Sequence, residues 1–192
     1  PESLVDECCM RILELKNKLG LFENPYKDAD EEKEQQLILC KEHRELAREA
    51  ARKSFVLLKN EEQILPLDKT KKTAFIGPYV NSRNLMGSWS IIGEAKDITT
   101  VEEIMAVEEA GNNVVCCQGS PMLGAEVILE GFTEENQATY TPEEEANMLE
   151  EALEAAKKAD QVVLFIGEDR LQSGEATSNA TIQIPQIQQN LL

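Results

Sequence analysis

The polar segment Ser173-Gly174-Glu175-Ala176-Thr177-Ser178-Asn179 follows closely on the apolar run Val162-Val163-Leu164-Phe165-Ile166-Gly167. A buried strand that runs into a small, bendable loop places that loop beyond the strand's carboxyl end. In open α/β folds this is where ligands and chemistry gather. The loop presents one carboxylate, Glu175, framed by the small residues Ser173, Gly174 and Ala176. What chemistry it performs depends on the partner it has. Two readings compete with a working Glu175: a solvated glutamate on a polar loop, and a site built instead on Glu168 at the strand end.

Other chemistries find less material. The cysteines are Cys8, Cys9, Cys40, Cys116 and Cys117, an odd count with two vicinal pairs and no C-x-x-C. That argues against a disulfide framework and against a zinc cluster. With His43 as the single histidine, no metal site is expected, and no cofactor. Cys116 and Cys117 lie in an apolar run and read as core residues. The net charge of −17 repels phosphate backbones, which excludes nucleic acid as a natural partner. Eight glutamates between Glu134 and Glu154, with no Lys or Arg, read as a solvated helix face. No apolar run approaches the ~20 residues of a spanning helix, so no membrane partner is expected. No signal-peptide pattern opens the chain, which begins at Pro1. The cysteines suit a reducing compartment, and a cytoplasmic location is expected, with a secreted or periplasmic parent as the alternative. Asn179-Ala180-Thr181 fits the glycosylation pattern, which matters only in a secretory eukaryotic setting.

The elements that would position Glu175 follow from periodicity. Leu4, Cys8, Ile12 and Leu15 or Leu19 recur at helical spacing, predicting a helix over 3–19 with Ser3 as cap and Gly20 as stop. Pro25 marks a turn, and the polar residues 27–35 read as a linker. A second helix is expected over about 38–54, with Leu39, Leu46 and Ala50 near one face. Then the pattern changes. Thr73–Gly77, Asn113–Cys117 and Gln161–Ile166 are short runs apolar on both faces, as in parallel strands covered by helices. Helices are expected near 100–110 and over 143–158. The second opens with Thr141, Pro142 and Glu144, a capping box with proline at the first helical position. Its apolar stripe would be Ala146, Leu149, Leu153 and Ala156. Strand–helix–strand–helix–strand implies a parallel sheet with crossover connections.

Three segments together resemble glycoside hydrolase family 3, the β-glucosidases and β-xylosidases. Arg11-Ile12-Leu13 through Gly20-Leu21-Phe22-Glu23-Asn24-Pro25-Tyr26 is similar to the last helix and exit turn of that family's (β/α)8 barrel. His43-Arg44, Ala47-Arg48 and Ser54-Phe55-Val56-Leu57-Leu58-Lys59-Asn60 to Leu65-Pro66-Leu67 resembles the start of its second domain. Ala74-Phe75-Ile76-Gly77-Pro78 and Met86-Gly87-Ser88-Trp89-Ser90 follow in the family's order. Val162 to Glu168, Ser173-Gly174-Glu175-Ala176, Ile184-Pro185 and Gln188 resemble the loop that carries the acid/base glutamate.

The resemblance implies a fold, an organisation and an activity. The fold would be a three-layer αβα sandwich with a mostly parallel, flavodoxin-like sheet, incomplete at the C-terminus. Residues 1–26 would be the tail of the barrel, 27–37 a linker, and 38–192 the first part of the sandwich. The activity would be retaining hydrolysis of terminal β-D-glucosyl residues, with a β-linked oligosaccharide or glycoside as substrate. Glu175 would be the acid/base. The aspartate nucleophile would lie on the barrel, outside this chain, so the chain by itself should not turn over substrate. Retaining glycosidases hold two carboxyl groups about 5–5.5 Å apart, and the proton donor keeps its proton near neutral pH through burial or a like charge. Trp89 could stack on a sugar ring; its other reading is inter-domain packing. His43 reads as structural. Asn179 departs from the family, whose members commonly carry arginine there. The competing class is a non-catalytic α/β binding module, although no G-x-G-x-x-G or G-K-[ST] is present to cradle phosphate.

Overall fold

A computed structural model describes residues 1–90, 93–107, 113–124, 140–175 and 177–192. The chain divides into two compact units, Pro1–Gln63 and Ile64–Leu192.

The first unit is helical: α1 (Glu2–Lys18), α2 (Glu31–Leu37) and α3 (Lys41–Ser54). Helix α1 starts one residue before the expected cap. It closes on the Pro1 carbonyl, which accepts from Leu4 N–H at 3.1 Å, and Ser3 lies inside the first turn. At the far end Gly20 takes the left-handed φ of 70° that glycine tolerates, and the N–H of Leu21 returns to the Lys16 carbonyl. The stretch read as a linker holds a helix, because the Asp30 carboxylate accepts from Lys33 N–H at 3.0 Å and so caps α2. Leu39, at φ 55°, separates α2 from α3, which therefore begins at Lys41 rather than 38. None of the three helices buries a residue. Leu4, Ile12 and Leu15 of the predicted stripe each stay more than half exposed.

The second unit is built on β1 (Thr73–Ile76), β2 (Val114–Cys117) and β3 (Gln161–Leu164), with α4 (Val101–Val107), α5 (Pro142–Lys158) and the single turn α6 (Gln186–Gln189). Both strand pairs are parallel, in the order β2-β1-β3. Ala74 aligns with Val115 on one side and Val162 on the other. Helix α5 is capped as its sequence predicts. Thr141 Oγ1 accepts from Glu144 N–H, and Glu144 Oε2 accepts from Thr141 N–H at 2.7 Å. The expected helix near 100–110 is seen as α4; residues 108–110 lie outside the described residues, as do Glu134 and Glu135 of the acidic stretch.

The core lies between the sheet and α5, where Ala74, Ile76 and Cys117 meet Ala152 and Ala155, with Leu164 and Ala156 packed beside them. The buried face of α5 is therefore turned from the predicted one: Ala152 and Ala155 are inside, while Leu153 is half exposed. The reason is close approach. A Cβ placed on Gly119 would stand 2.9 Å from Ile76 Cγ2 and 3.2 Å from Ala152 Cβ, so only small side chains fit between helix and sheet. Burial pushes the Cys117 thiol up to about 11, as suits a core residue.

Candidate active site

The order β2-β1-β3 is the beginning of the flavodoxin-like order, in which the chain leaves β1 for one side and then returns to its other side at β3. In the flavodoxin-like order the switch point falls between β1 and β3, and ligands bind in the crevice beyond the carboxyl ends of those strands. The strand ends themselves are tightly seated. Phe165 N–H donates to the Ile76 carbonyl at 2.7 Å. Gly77, at φ 134°, comes so close to β3 that a Cβ there would stand 2.2 Å from the Phe165 carbonyl oxygen.

Two loops rise from this edge. The loop after β1 carries Tyr79, Asn84 and Trp89, and the loop after β3 carries Glu168, Asp169 and Glu175. They meet at three places, one of them the Tyr79 hydroxyl on the Glu168 carbonyl. Asn84 Nδ2 donates to Asp169 Oδ2 at 3.0 Å, and Asp169 is buried. Farther out, a Cβ on Gly174 would stand 2.9 Å from Ser88 Oγ and 3.9 Å from Trp89 Nε1. Glycine at 174, with φ 133°, is what lets the second loop lie against the first. The backbone step from Gly174 to Glu175 is thus beside Trp89. Both predicted site residues are exposed, Trp89 at 67%. Ala176 lies outside the described residues.

Glu168 is held differently. Its carboxylate accepts from Asn179 Nδ2 at 2.5 Å, and its main-chain carbonyl accepts from the Tyr79 hydroxyl. Burial, together with the nearby Asp169 and Glu168 carboxylates, pushes Tyr79 up to about 12, so its hydroxyl remains a donor at any physiological pH. Glu168 is thereby tied through its carboxylate to its own loop and through its carbonyl to the loop after β1. Asn179 supplies the first of these ties.

The base of the second loop is fixed by a residue with no exposed surface. Gln188, on α6, accepts from Gly167 N–H at 2.8 Å through Oε1. Its Nε2 donates to the Gly167 carbonyl at 2.9 Å and to the Met122 carbonyl at 2.6 Å. Arg83 does similar work for the first loop, donating to the carbonyls of Ala95 and Ile98 and to the Glu103 carboxylate. His43 is exposed on α3 in the helical unit. Among the described residues no group of His, Cys, Asp and Glu converges as a metal site would require. No helix of the described chain is long and apolar enough to cross a membrane. A groove of about 370 Å³, lined by Lys72, Thr73, Val114, Glu151, Ala155 and Lys158, lies at the amino ends of the strands and contains none of the candidate residues.

The sequence singles out Glu175, Glu168 and Trp89 as candidates, and gives no sign of Asn84, Asp169 and Tyr79, which the fold brings to the same edge. An aspartate following a glutamate in a polar stretch carries no local sign of burial. The pairing of Asp169 with Asn84 spans 85 positions of sequence.

Sheet order, switch-point crevice and a carboxylate segment beside an indole define an α/β sandwich domain of the flavodoxin-like class. Its family follows from comparison with known proteins. Residues 55–192 match the glycosyl hydrolase family 3 C-terminal domain, and the chain belongs to that family. It is 34% identical, over 98% of its length, to a periplasmic β-glucosidase of Salmonella typhimurium. It is 31% identical, over 93% of its length, to a putative β-xylosidase of Formosa agariphila. The crystal structure of a β-glucosidase from Listeria innocua, solved in complex with isofagomine, superposes on the whole chain with a TM-score of 0.75 at 35% identity. The chain spans 25% and 20% of the two relatives and 24% of the Listeria innocua chain.

Proposed function

We propose that this chain is the part of a retaining β-glycosidase that supplies the acid/base carboxylate, Glu175, for hydrolysis of terminal non-reducing β-D-glucosyl residues. The observation that carries the reading is the convergence at the switch point: the Glu175 loop lies against Ser88 and Trp89, which come from the other side of the crevice. Glu168 is a poorer candidate because its carboxylate and its carbonyl are both engaged in holding the loop. Exposure of Glu175 also leaves it free to meet a substrate.

In this reading the Glu175 carboxyl group donates its proton to the glycosidic oxygen as the bond from that oxygen to the anomeric carbon breaks. An aspartate on the barrel domain of the same parent bonds to that carbon. In the second step the Glu175 carboxylate takes a proton from water as the water oxygen displaces the aspartate. Trp89, exposed beside the loop, offers an apolar face to a sugar ring. Residues 1–26 would be the last helix and exit turn of the barrel, and the apolar stripe of α1 would pack there. The chain by itself, without the nucleophile, should not hydrolyse an aryl β-glucoside.

The test uses the full-length parent carrying Glu175→Ala. Loss of the acid should slow substrates with poor leaving groups by about 10²–10⁴-fold. An aryl β-glucoside with a good leaving group should still glycosylate the enzyme and then stall. Azide, which needs no general base, should restore turnover and yield a β-glycosyl azide. Full activity of the variant on good and poor leaving groups alike would remove Glu175 from the mechanism.

A further inference from the structure

The two loops at the crevice could be placed independently, each by its own anchors, or as one body. The hydrogen-bond pattern favours one body. Asp169 stands at the root of the Glu175 loop, 5% exposed, and its carboxylate reaches across the crevice to Asn84 Nδ2 at 3.0 Å. Each partner is rigid on its own side. Asp169 N–H donates to Gln172 Oε1 at 2.9 Å, and the Asp169 carbonyl accepts from Gln172 N–H at 2.9 Å. Asn84 N–H donates to the buried Ser82 Oγ at 3.0 Å. The adjacent Arg83 ties the first loop down to Glu103 of α4. A separate contact between the same loops, Gly174 against Ser88 and Trp89, lies four to five residues farther along each chain segment. Together with the Tyr79 hydroxyl on the Glu168 carbonyl, these separated contacts between two loops fix their distance and also their relative rotation.

We infer that Asp169 is the positioning residue of the acid/base loop: through Asn84 its carboxylate holds the loop after β3 onto the loop after β1 and sets where Glu175 stands relative to Trp89. Asp169 does not touch substrate in this scheme. It acts through the backbone of 169–175, which is held at one end by the Asn84 bond beside the Tyr79 bond to the Glu168 carbonyl, and at the other by the Ser88 and Trp89 contact. Displacements of about 1 Å in a reacting group can cost about 10²-fold in rate. A proton donor is sensitive to such a shift only when the reaction needs its proton. The inference rests on the acid/base reading of Glu175, and the experiment separates the two.

The full-length parent is prepared as wild type, Asp169→Ala, Asp169→Asn, Asn84→Ala, the Asp169→Ala/Asn84→Ala double variant and Glu175→Gln. For each, kcat/KM is measured over aryl β-glucosides whose phenols run from good to poor leaving groups. Asp169→Ala should lower kcat/KM for the poorest leaving group by about 10- to 100-fold and leave the best one little changed. Asp169→Asn retains an oxygen to accept from Asn84 and should restore most of the loss. Asn84→Ala should reproduce the selective loss, and the double variant should be no worse than either single one, because one interaction is removed once. If Asp169→Ala fails to fold, Asn84→Ala and Asp169→Asn carry the test. Equal losses on all substrates, or none, while Glu175→Gln shows the selective loss, would overturn the positioning role and leave Glu175 standing. No selective loss in Glu175→Gln would overturn the acid/base reading and this inference together.

Discussion

Gln188 offers the sharpest test of how the loop base is held, through the variant Gln188→Leu. Leucine nearly matches glutamine in volume, so the cavity contribution is small and the cost is polar. Three hydrogen bonds are lost: from Gly167 N–H, and to the carbonyls of Gly167 and Met122. Each is worth about 0.5–1.5 kcal/mol net, and leaving a buried group unsatisfied costs about 1–3 kcal/mol. The groups at Gly167 and Met122 are partly rather than fully buried, so the lower end applies, about 3 kcal/mol in total. If that loss falls on local opening, the Gly167 amide should exchange with solvent roughly two decades faster. Hydrogen exchange of the full-length parent, read by mass spectrometry on peptides spanning 165–170, measures this directly. Gln188→Glu adds a sign. Ionised, it would still accept from Gly167 N–H but would face two carbonyls it can no longer serve as a donor. Protection should therefore be greatest at acid pH, where the new carboxyl is protonated, and be lost as pH rises. Exchange at Gly167 unchanged in Gln188→Leu would refute the reasoning, since the loop base would then be held without this side chain.

Gly77→Ala should destabilise the second unit by about 2–5 kcal/mol, because the added Cβ meets the Phe165 carbonyl at a φ that alanine rarely adopts. Urea unfolding monitored in that unit measures it, and a wild-type midpoint would mean that the ends of β1 and β3 separate freely. Tyr79 should titrate near 12 rather than at the ordinary tyrosine value of about 10, burial being the main cause. A pKa raised in the folded state contributes stability that is complete below about 10 and is lost as pH rises through about 12. The tyrosinate absorbance of wild type minus Tyr79→Phe gives the titration, and a component centred near 10 would contradict it.

Features that depend on neighbours in sequence were legible in advance. The capping box at Thr141 and Glu144 needs only residues three apart, and it forms as read. The three strands are written in short apolar runs, and the stop at Gly20 in one glycine. The Asp30 cap was equally local, but the charge density around it resembled a linker and hid the helix. Glu175 could be singled out as a candidate because ligands gather beyond strand ends in an α/β fold, and because the surrounding motif resembled a family.

Tertiary contacts decided the rest. Which face of α5 is buried depends on Gly119 and Ile76, which permit only alanines at the point of closest approach. Whether Glu168 or Glu175 is free depends on Asn179 and Tyr79. The site itself is a junction of loops whose partners lie far apart in the chain: Asn84 with Asp169, Gly174 with Ser88 and Trp89, Gln188 with Gly167. Local sequence sets the geometry of a turn through steric and hydrogen-bonding preferences within a few residues. A contact across the sheet forms only after the strand order has brought two loops to the same edge, and that order is settled by burial of the sheet as a whole.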